Sequence, residues 1–446
     1  MPRYITIITL LCMLSLSAQE TRTIGLDAAK TMALQQNQEY QGEKAALEAA
    51  KWSKTNAISS FLPNLSLGGT LLYMDPARSI PVGGQNVTMN KDQRSLALNL
   101  SQPLFMGGRL YQAYKIASAS YQMADLSLQM QELQLKAEVE KKYYAVLQLK
   151  DILDIAIREH EQAVQNLALA DLKLESGILS RADHLRFQAS LANKDIALLQ
   201  SQTAYDLAIR DFMNYLGSSQ PLMPEDIELD VAEIQRLSQL DQQQIRSFQD
   251  RAYSLAQREN QNLKILDKST EISQRAYKIA NASFWPSLTL VGSRSYDENG
   301  IDRYEFEASN QIMLNLSVPL LPQVGNYAKS RQAHYEAQKA AYAVESAKDG
   351  IDLGLEAATI NLISSARSVK NAQLSLSITE DMYAQLSERF RLNMISTLEL
   401  MDAELMLSAA RMAHAKAYYD FLKARLNLLS LLGSDDEELL STMFTQ

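Results

Sequence analysis

Cysteine is almost missing from this chain: one residue, Cys12, in 446. It sits in an N-terminal apolar stretch that reads as a secretory leader. If that leader is cut, the mature chain has no thiol, and disulfides and cysteine-ligated metals are excluded. Histidine is scarce as well. His160, His184, His334 and His414 are scattered without the spacing that gathers metal ligands, so no metal site is expected. Proline and glycine number only 10 and 16 and form no linker, so long unbroken helices are allowed. A basic surplus is lacking too. The net charge of −9 argues against a nucleic-acid partner, whose phosphates call for clustered Lys and Arg. There is no nucleophile motif, no phosphate-cradling Gly-rich loop and no Cys/His pair, so neither enzyme activity nor a cofactor is expected. After the leader, no segment has the roughly 20 apolar residues of a membrane-spanning helix. Spanning β-strands need only about 10 residues each, so a barrel stays open.

The leader itself has Arg3 at its positive end, an apolar core from Ile5 to Leu16, and small residues in Ser15-Leu16-Ser17-Ala18. Residues 1–18 are expected to be removed on export. The 17 methionines show no clustered pair and read as gap-fillers in helical cores rather than as soft-metal ligands.

What the chain does have is a duplication. Pro103 and Pro319 each close an alternating apolar/polar run. Gly177-Ile178-Leu179-Ser180 and Asn393-Met394-Ile395-Ser396 each interrupt a long helical pattern. Leu216-Gly217-Ser218 and Leu432-Gly433-Ser434 each end one. All three pairs are offset by 216 positions in the numbering. Phe61-Leu62-Pro63 and Phe284-Trp285-Pro286 are offset by 223, which places extra residues in a loop before Pro103. Two structural repeats are expected, over 19–231 and 232–446.

Each repeat holds two segments with period two. Strands are expected at about 64–74 and 94–103, and at about 286–296 and 305–318. Leu65, Leu67, Leu96, Leu98, Leu100, Leu288, Leu290, Leu314 and Leu316 alternate with Ser, Thr, Asn and Gly. That pattern suits lipid on one side and water on the other. A half-buried soluble sheet alternates in the same way. The leader and the duplication favour the barrel. Met74–Arg94 and the residues around Asp297-Glu298-Asn299-Gly300 read as hairpin loops.

The remainder is helical. Gly107 to Glu175 has no proline and no glycine beyond its first two positions, about 100 Å of helix at ~1.5 Å per residue. Tyr327 to Leu392 is nearly as long. Shorter helices are expected over Leu26–Ser60, His184–Leu216, Arg246–Ser283 and Glu399–Leu432. In each repeat two short helices, stacked end to end, match one long helix. On the first long helix, Leu126, Met130, Leu133, Ala137, Tyr144 and Leu147 form one seam. Leu128, Leu135, Val139, Val146, Leu149, Leu153 and Ala156 form another, on roughly the opposite flank. Two opposed seams imply a neighbour on each side, as in a wall or a cylinder; a plain globular bundle can also produce two seams. Four strands cannot close a membrane barrel, whose smallest size is 8. Two chains would give 8, with a filled interior, and three would give 12, wide enough for a lumen.

These residues resemble the TolC-like outer-membrane efflux proteins over essentially the whole mature chain. The resemblance rests on Phe61-Leu62-Pro63-Asn64-Leu65, on Gln102-Pro103-Leu104-Phe105-Met106-Gly107-Gly108-Arg109, on Ser176-Gly177-Ile178-Leu179-Ser180 with Asp183, and on Arg389 to Ser396 followed by Glu399-Leu400-Met401-Asp402-Ala403-Glu404. Each piece is weak alone. Their order, spacing and duplication are specific.

The resemblance implies a mainly α fold with a β-barrel part: a homotrimer whose 12-stranded barrel sits in outer-membrane lipid and continues as an α-helical tunnel through the periplasm. It implies an exit channel for a tripartite efflux pump or a type I secretion system. The tips, Gly177 to Ser180 and Asn393 to Ser396, would dock a periplasmic adaptor, and an inner-membrane transporter would complete the pump. Glu399 and Asp402, with Asp183, match acidic positions that ring the constricted end. As i,i+3 residues at a helix start, Glu399 and Asp402 also fit a plain dipole-favoured N-terminus. Two departures stand out. Asn393 replaces the usual glycine of the second turn, and Asn tolerates left-handed backbone. Ile395 replaces an arginine that ties the tip shut in some members. A periplasmic coiled-coil adaptor or a helical scaffold is the competing reading. The adaptor would lack the two apolar-faced hairpins, and a scaffold would leave the leader unexplained.

Overall fold

The computed structural model describes residues 22–218, 220, 222–227, 231–298, 305–320 and 323–435. The expected leader lies outside these residues. The elements run β1 (Arg22–Ile24), α1 (Leu26–Gln36), α2 (Gln38–Ser59), β2 (Asn64–Tyr73), β3 (Ser79–Val82), β4 (Gln85–Thr88), β5 (Asp92–Met106), α3 (Arg109–Glu175) and α4 (Arg181–Leu216). They continue as β6 (Leu222–Pro224), α5 (Val231–Ser238), α6 (Gln242–Glu259), α7 (Gln261–Ala282), β7 (Ser287–Glu298), β8 (Phe306–Ser317), α8 (Val324–Arg391) and α9 (Thr397–Leu432). The sequence α1–α2–β2–β5–α3–α4 recurs as α6–α7–β7–β8–α8–α9.

The four long strands form one antiparallel sheet in the order β2-β5-β7-β8, so β2 and β8 are its edges. Register fixes its two faces. Leu65 pairs with Leu100, Leu67 with Leu98, Leu288 with Leu316 and Leu290 with Leu314. All of these leucines share one face, because side chains repeat every two residues. Ser66, Asn99, Ser293, Ser309 and Asn315 are on the other. The apolar face is uncovered: Leu65, Leu67, Leu71, Ile312, Leu314 and Leu316 are all exposed. A soluble sheet would bury such a face against helices.

The strand β5 runs three residues past Pro103, the expected stop, to Met106. A register shift between Pro103 and Phe105 accommodates the ring, which cannot donate to the ladder. The segment Met74–Arg94 is more than a loop. It carries the hairpin β3–β4, with Val82 and Gln85 as the closing pair. Gly83 and Gly84 form its turn at φ 58° and 87°. A Cβ added at Gly84 meets nothing within 4 Å. An epitope inserted at Gly84 should therefore leave the barrel intact and label on whole cells. Labelling only after the outer membrane is broken would invert the topology. The corresponding position Gly300 lies outside the described residues.

Two helices expected to be continuous are broken. Asn37 splits Leu26–Ser60 and Asn260 splits Arg246–Ser283. Both asparagines leave the helical region (ψ 123° and 117°) and turn their side-chain oxygens onto the next helix: Asn37 Oδ1 accepts from Tyr40 N, and Asn260 Oδ1 from Asn262 N and Leu263 N. An asparagine that caps a new helix outcompetes one that merely continues an old one. The stacking of short helices along long ones holds. The helix α3 packs against α2 and α4, and α8 against α7 and α9; α3 also meets α7 and α9 across the repeats. Every residue of both α3 seams is buried or half-buried.

At mid-length the short elements form a collar. The Tyr143 hydroxyl donates to the Ile24 carbonyl at 3.1 Å and the Glu225 carbonyl at 2.8 Å. It thus fastens the parallel pair β1–β6 to α3. Glu140, buried beneath, accepts from Tyr144 and pairs with Lys30 at 2.6 Å. Unpaired, that carboxylate would be costly to bury.

Candidate functional site: the helical tip

The long helices carry the chain away from the sheet and turn back at two matching points. Each turn is a Schellman motif. In the first, Ile178 N donates to Lys173 O at 2.9 Å and Gly177 N to Leu174 O at 3.0 Å. In the second, Met394 N donates to Arg389 O at 2.9 Å and Asn393 N to Phe390 O at 3.1 Å. The left-handed residue is Gly177 at φ 71° in one and Asn393 at φ 61° in the other. Asn393 therefore does what glycine does in the first turn, and the departure costs the fold nothing visible.

The returning helices are capped in parallel fashion. The Ser180 side chain accepts from Asp183 N at 3.1 Å. Ser396 accepts from Glu399 N at 3.3 Å, and Glu399 Oε2 accepts from Ser396 N at 3.0 Å, completing a capping box. Thus one oxygen of Glu399 serves the helix start. Glu399 and Asp402 are exposed and form no ion pair among the described residues. Asp183 is partly countered by Arg186, 4.0 Å away.

Packing joins the two turns. Ala170, Phe187, Phe390 and Leu400 form a small buried core, with Leu179 and Ile395 against it. Ile395 is therefore half-buried against this core and supplies apolar contact where an arginine would supply charge. Outside this core, Ile178, Leu392, Met394 and Leu398 are 56–67% exposed. A cluster of large apolar side chains at a helical tip is a surface suited to a protein partner.

Polar residues with no motif role of their own tie this region together. Lys173 is buried, its Nζ donating to the Phe390 carbonyl and lying 4.0 Å from the Phe390 ring centroid. It ties the end of α3 to the end of α8, where the helix dipole favours a cation. Burial lowers its pKa. Further from the tip, Asn166 donates to Glu404 and to Tyr383, linking α3 with α9 and α8. Lys194 pairs with Glu159 at 2.6 Å beside it. A cleft of about 500 Å³ opens there between Arg158, Asn166, Tyr383 and Arg391. The signal was register: Lys173 falls on the face of Ala170 and Asn166, and Glu404 between Leu400 and Leu407.

Burial raises the Glu404 pKa, against the lowering pull of Lys194, Asn166 and Tyr383. The folded state thus holds this proton at a pH where the unfolded chain has released it. Its contribution to stability is complete below the ordinary carboxylate pKa and is lost as pH rises through the raised value. Glu404→Gln should flatten that part of the pH–stability curve above pH 4.5. Melting of the solubilised protein at stepped pH reads it. Identical slopes for parent and variant would assign the dependence to other groups.

A sheet with an uncovered apolar face, prolonged by helices of 67 and 68 residues, defines a class: membrane β-barrel ducts with a helical extension. The family model described as outer membrane efflux protein matches residues 31–218 and 252–434. This chain belongs to that family. AprF, an alkaline protease secretion protein of Pseudomonas aeruginosa, is 22% identical over 443 residues, 95% of this chain and 87% of that protein. The outer membrane protein TolC of Escherichia coli is 21% identical over 419 residues, covering 90% and 80%. The CmeC outer membrane channel of Campylobacter jejuni superposes with a TM-score of 0.77 at 14% identity, covering 94% of this chain and 89% of that one. The protein has the TolC-like fold and is an export channel of the outer membrane with a periplasmic helical part.

Proposed function

We propose that three copies close a 12-stranded barrel and a helical tunnel, and that the tips dock a periplasmic adaptor which joins the duct to an inner-membrane transporter. The single observation behind this is the four-stranded sheet with two unpaired edges and an apolar outer face. Lipid satisfies neither an unpaired edge nor a third of a barrel. Pairing β8 of one copy with β2 of the next removes all edges. The docking surface is Gly177 to Ser180 and Asn393 to Ser396. The exposed Ile178 and Met394, held out by the two Schellman turns, support that choice. Asp183, Glu399 and Asp402 ring the constricted end. The cleaved leader ends near residue 18, and the repeats divide near 231, where α5 begins. Flow through the duct is passive, with energy supplied by the partner pump.

The purified protein should require detergent and sediment as a trimer. A detergent-free monomer would end this reading. Whether the cargo is a drug-like molecule, as for a pump, or a protein, as the secretion relative's name indicates for itself, is decided by a deletion strain's sensitivity and secretion profiles.

A further inference from the structure

Below its upper rim, the lipid-facing side of the sheet is mostly apolar or small, with Gln102 and Asn310 as its uncharged polar members and one charge. On β7, register puts Arg294 on that face, between Leu98 of β5 and Asn310 of β8. The residue is exposed and forms no ion pair among the described residues. Among the described residues its partner is a ring: the guanidinium lies 5.3 Å from the Tyr296 centroid. The carboxylates closest in register do not serve it. Asp297 and Glu307 point to the opposite face. Asp92 lies at the upper rim with Arg94, 3.6 Å away, and Glu298 has a partner of its own. The strand that would border β8 in a closed barrel, β2 of a neighbouring copy, presents Leu65, Leu67, Leu71 and Tyr73 on this face.

Height places the charge. Ser287 follows the periplasmic helix α7, so β7 rises outward from there. Arg294 is six residues above Leu288, roughly 15 Å up a strand tilted at about 40° in an apolar band of about 25 Å. That is inside the outer leaflet, a side-chain length below its surface. A guanidinium there extends upward to the headgroup level, alongside Tyr296 and with Phe306 and Tyr73 in the same aromatic girdle. The anions at that level are phosphates, and a guanidinium fork fits phosphate with two parallel hydrogen bonds.

We propose that Arg294, backed by Tyr296, is a binding site for the phosphate of an outer-leaflet glycolipid. The Asn310 amide, cross-strand from Arg294, is placed to add a donor. Contact with the ring of Tyr296 restrains the guanidinium and limits the rotamer freedom it must give up on binding.

The test uses the solubilised full-length channel and three probes: a bis-phosphorylated lipid A, the same lipid dephosphorylated, and inorganic phosphate. Lipid retained per chain is read by native mass spectrometry across a titration. The parent should hold the phosphorylated lipid about tenfold more tightly than Arg294→Leu, the effect of one charge-assisted hydrogen-bonded contact. Arg294→Lys should fall between them. The dephosphorylated lipid should bind parent and Leu variant alike. The Leu variant should insert and export normally, because it removes a charge from a lipid-facing position. Equal retention of the phosphorylated lipid by parent and Leu variant would overturn the site and leave Arg294 as a packing partner of Tyr296. Displacement of the lipid by millimolar inorganic phosphate would overturn the lipid assignment and make the site one for soluble anions.

Discussion

Gly107→Val should leave almost no assembled channel in the outer membrane. Gly107 lies where β5 hands over to α3, at φ 62°. A Cβ there would stand 2.7 Å from the Ala282 carbonyl oxygen and 2.9 Å from Trp285 Cβ. The nearer atom is backbone, so no rotamer change relieves the contact. The clash spans the repeats, since Ala282 closes α7 and Trp285 leads into β7. The left-handed backbone costs an L-residue about 1–2 kcal/mol, and β-branching stiffens the side chain further. Gly108 supplies the control. It too has a positive φ, 84°, but a Cβ there meets nothing within 4 Å. Gly108→Asn should therefore lower the amount of assembled channel only slightly. Membrane fractions resolved on semi-native gels decide the matter. If both variants assemble equally, the close approach at Gly107 is not what joins barrel to helices.

The double variant Glu399→Gln, Asp402→Asn should lose much of the cation preference of the pore and resist block by trivalent cations. Converged at one end of a tunnel, these carboxylates from three chains would focus a negative potential. Neither is neutralised by an ion pair among the described residues, whereas Asp183 has Arg186 at 4.0 Å and would contribute less. The variant preserves the helix start, because glutamine at this position also completes a capping box with Ser396. Loss of block therefore reports charge rather than unfolding. In planar bilayers the blocking concentration should rise at least about tenfold, the lower end of what focused charge does to local ion concentration. Unchanged selectivity and block would reduce both residues to a favourable beginning for α9.

Barrel and tunnel were readable for different reasons. The strands showed themselves through period-two leucines at residues 65–67, 96–100, 288–290 and 314–316, because each faces one solvent on each side. The long helices were legible because nothing between Arg109 and Glu175 breaks them. The tips were marked by Gly177 and Asn393, the residues that enter the left-handed region most easily. Where two local choices were close in energy, the sequence was ambiguous. Asn37 and Asn260 could continue a helix or cap a new one, and only the packing of α1 against α3 and of α6 against α8 and α9 selected the break. Pro103 reads as a strand terminator. A bulge carried β5 past it because β7 offered partners on the far side.

What the sequence determined by itself was the set of elements, their duplication and the apolar face of the sheet, since these follow from periodicity along one segment at a time. What the tertiary structure alone decided was which elements face one another. It put Lys173 on the Phe390 carbonyl, Ile395 against the tip core, Glu404 beside Asn166, and Arg294 on the leucine face with no carboxylate partner among the described residues. Those positions depend on register between segments far apart in the chain. No local periodicity encodes such a register; it is fixed when the whole set of helices and strands packs together.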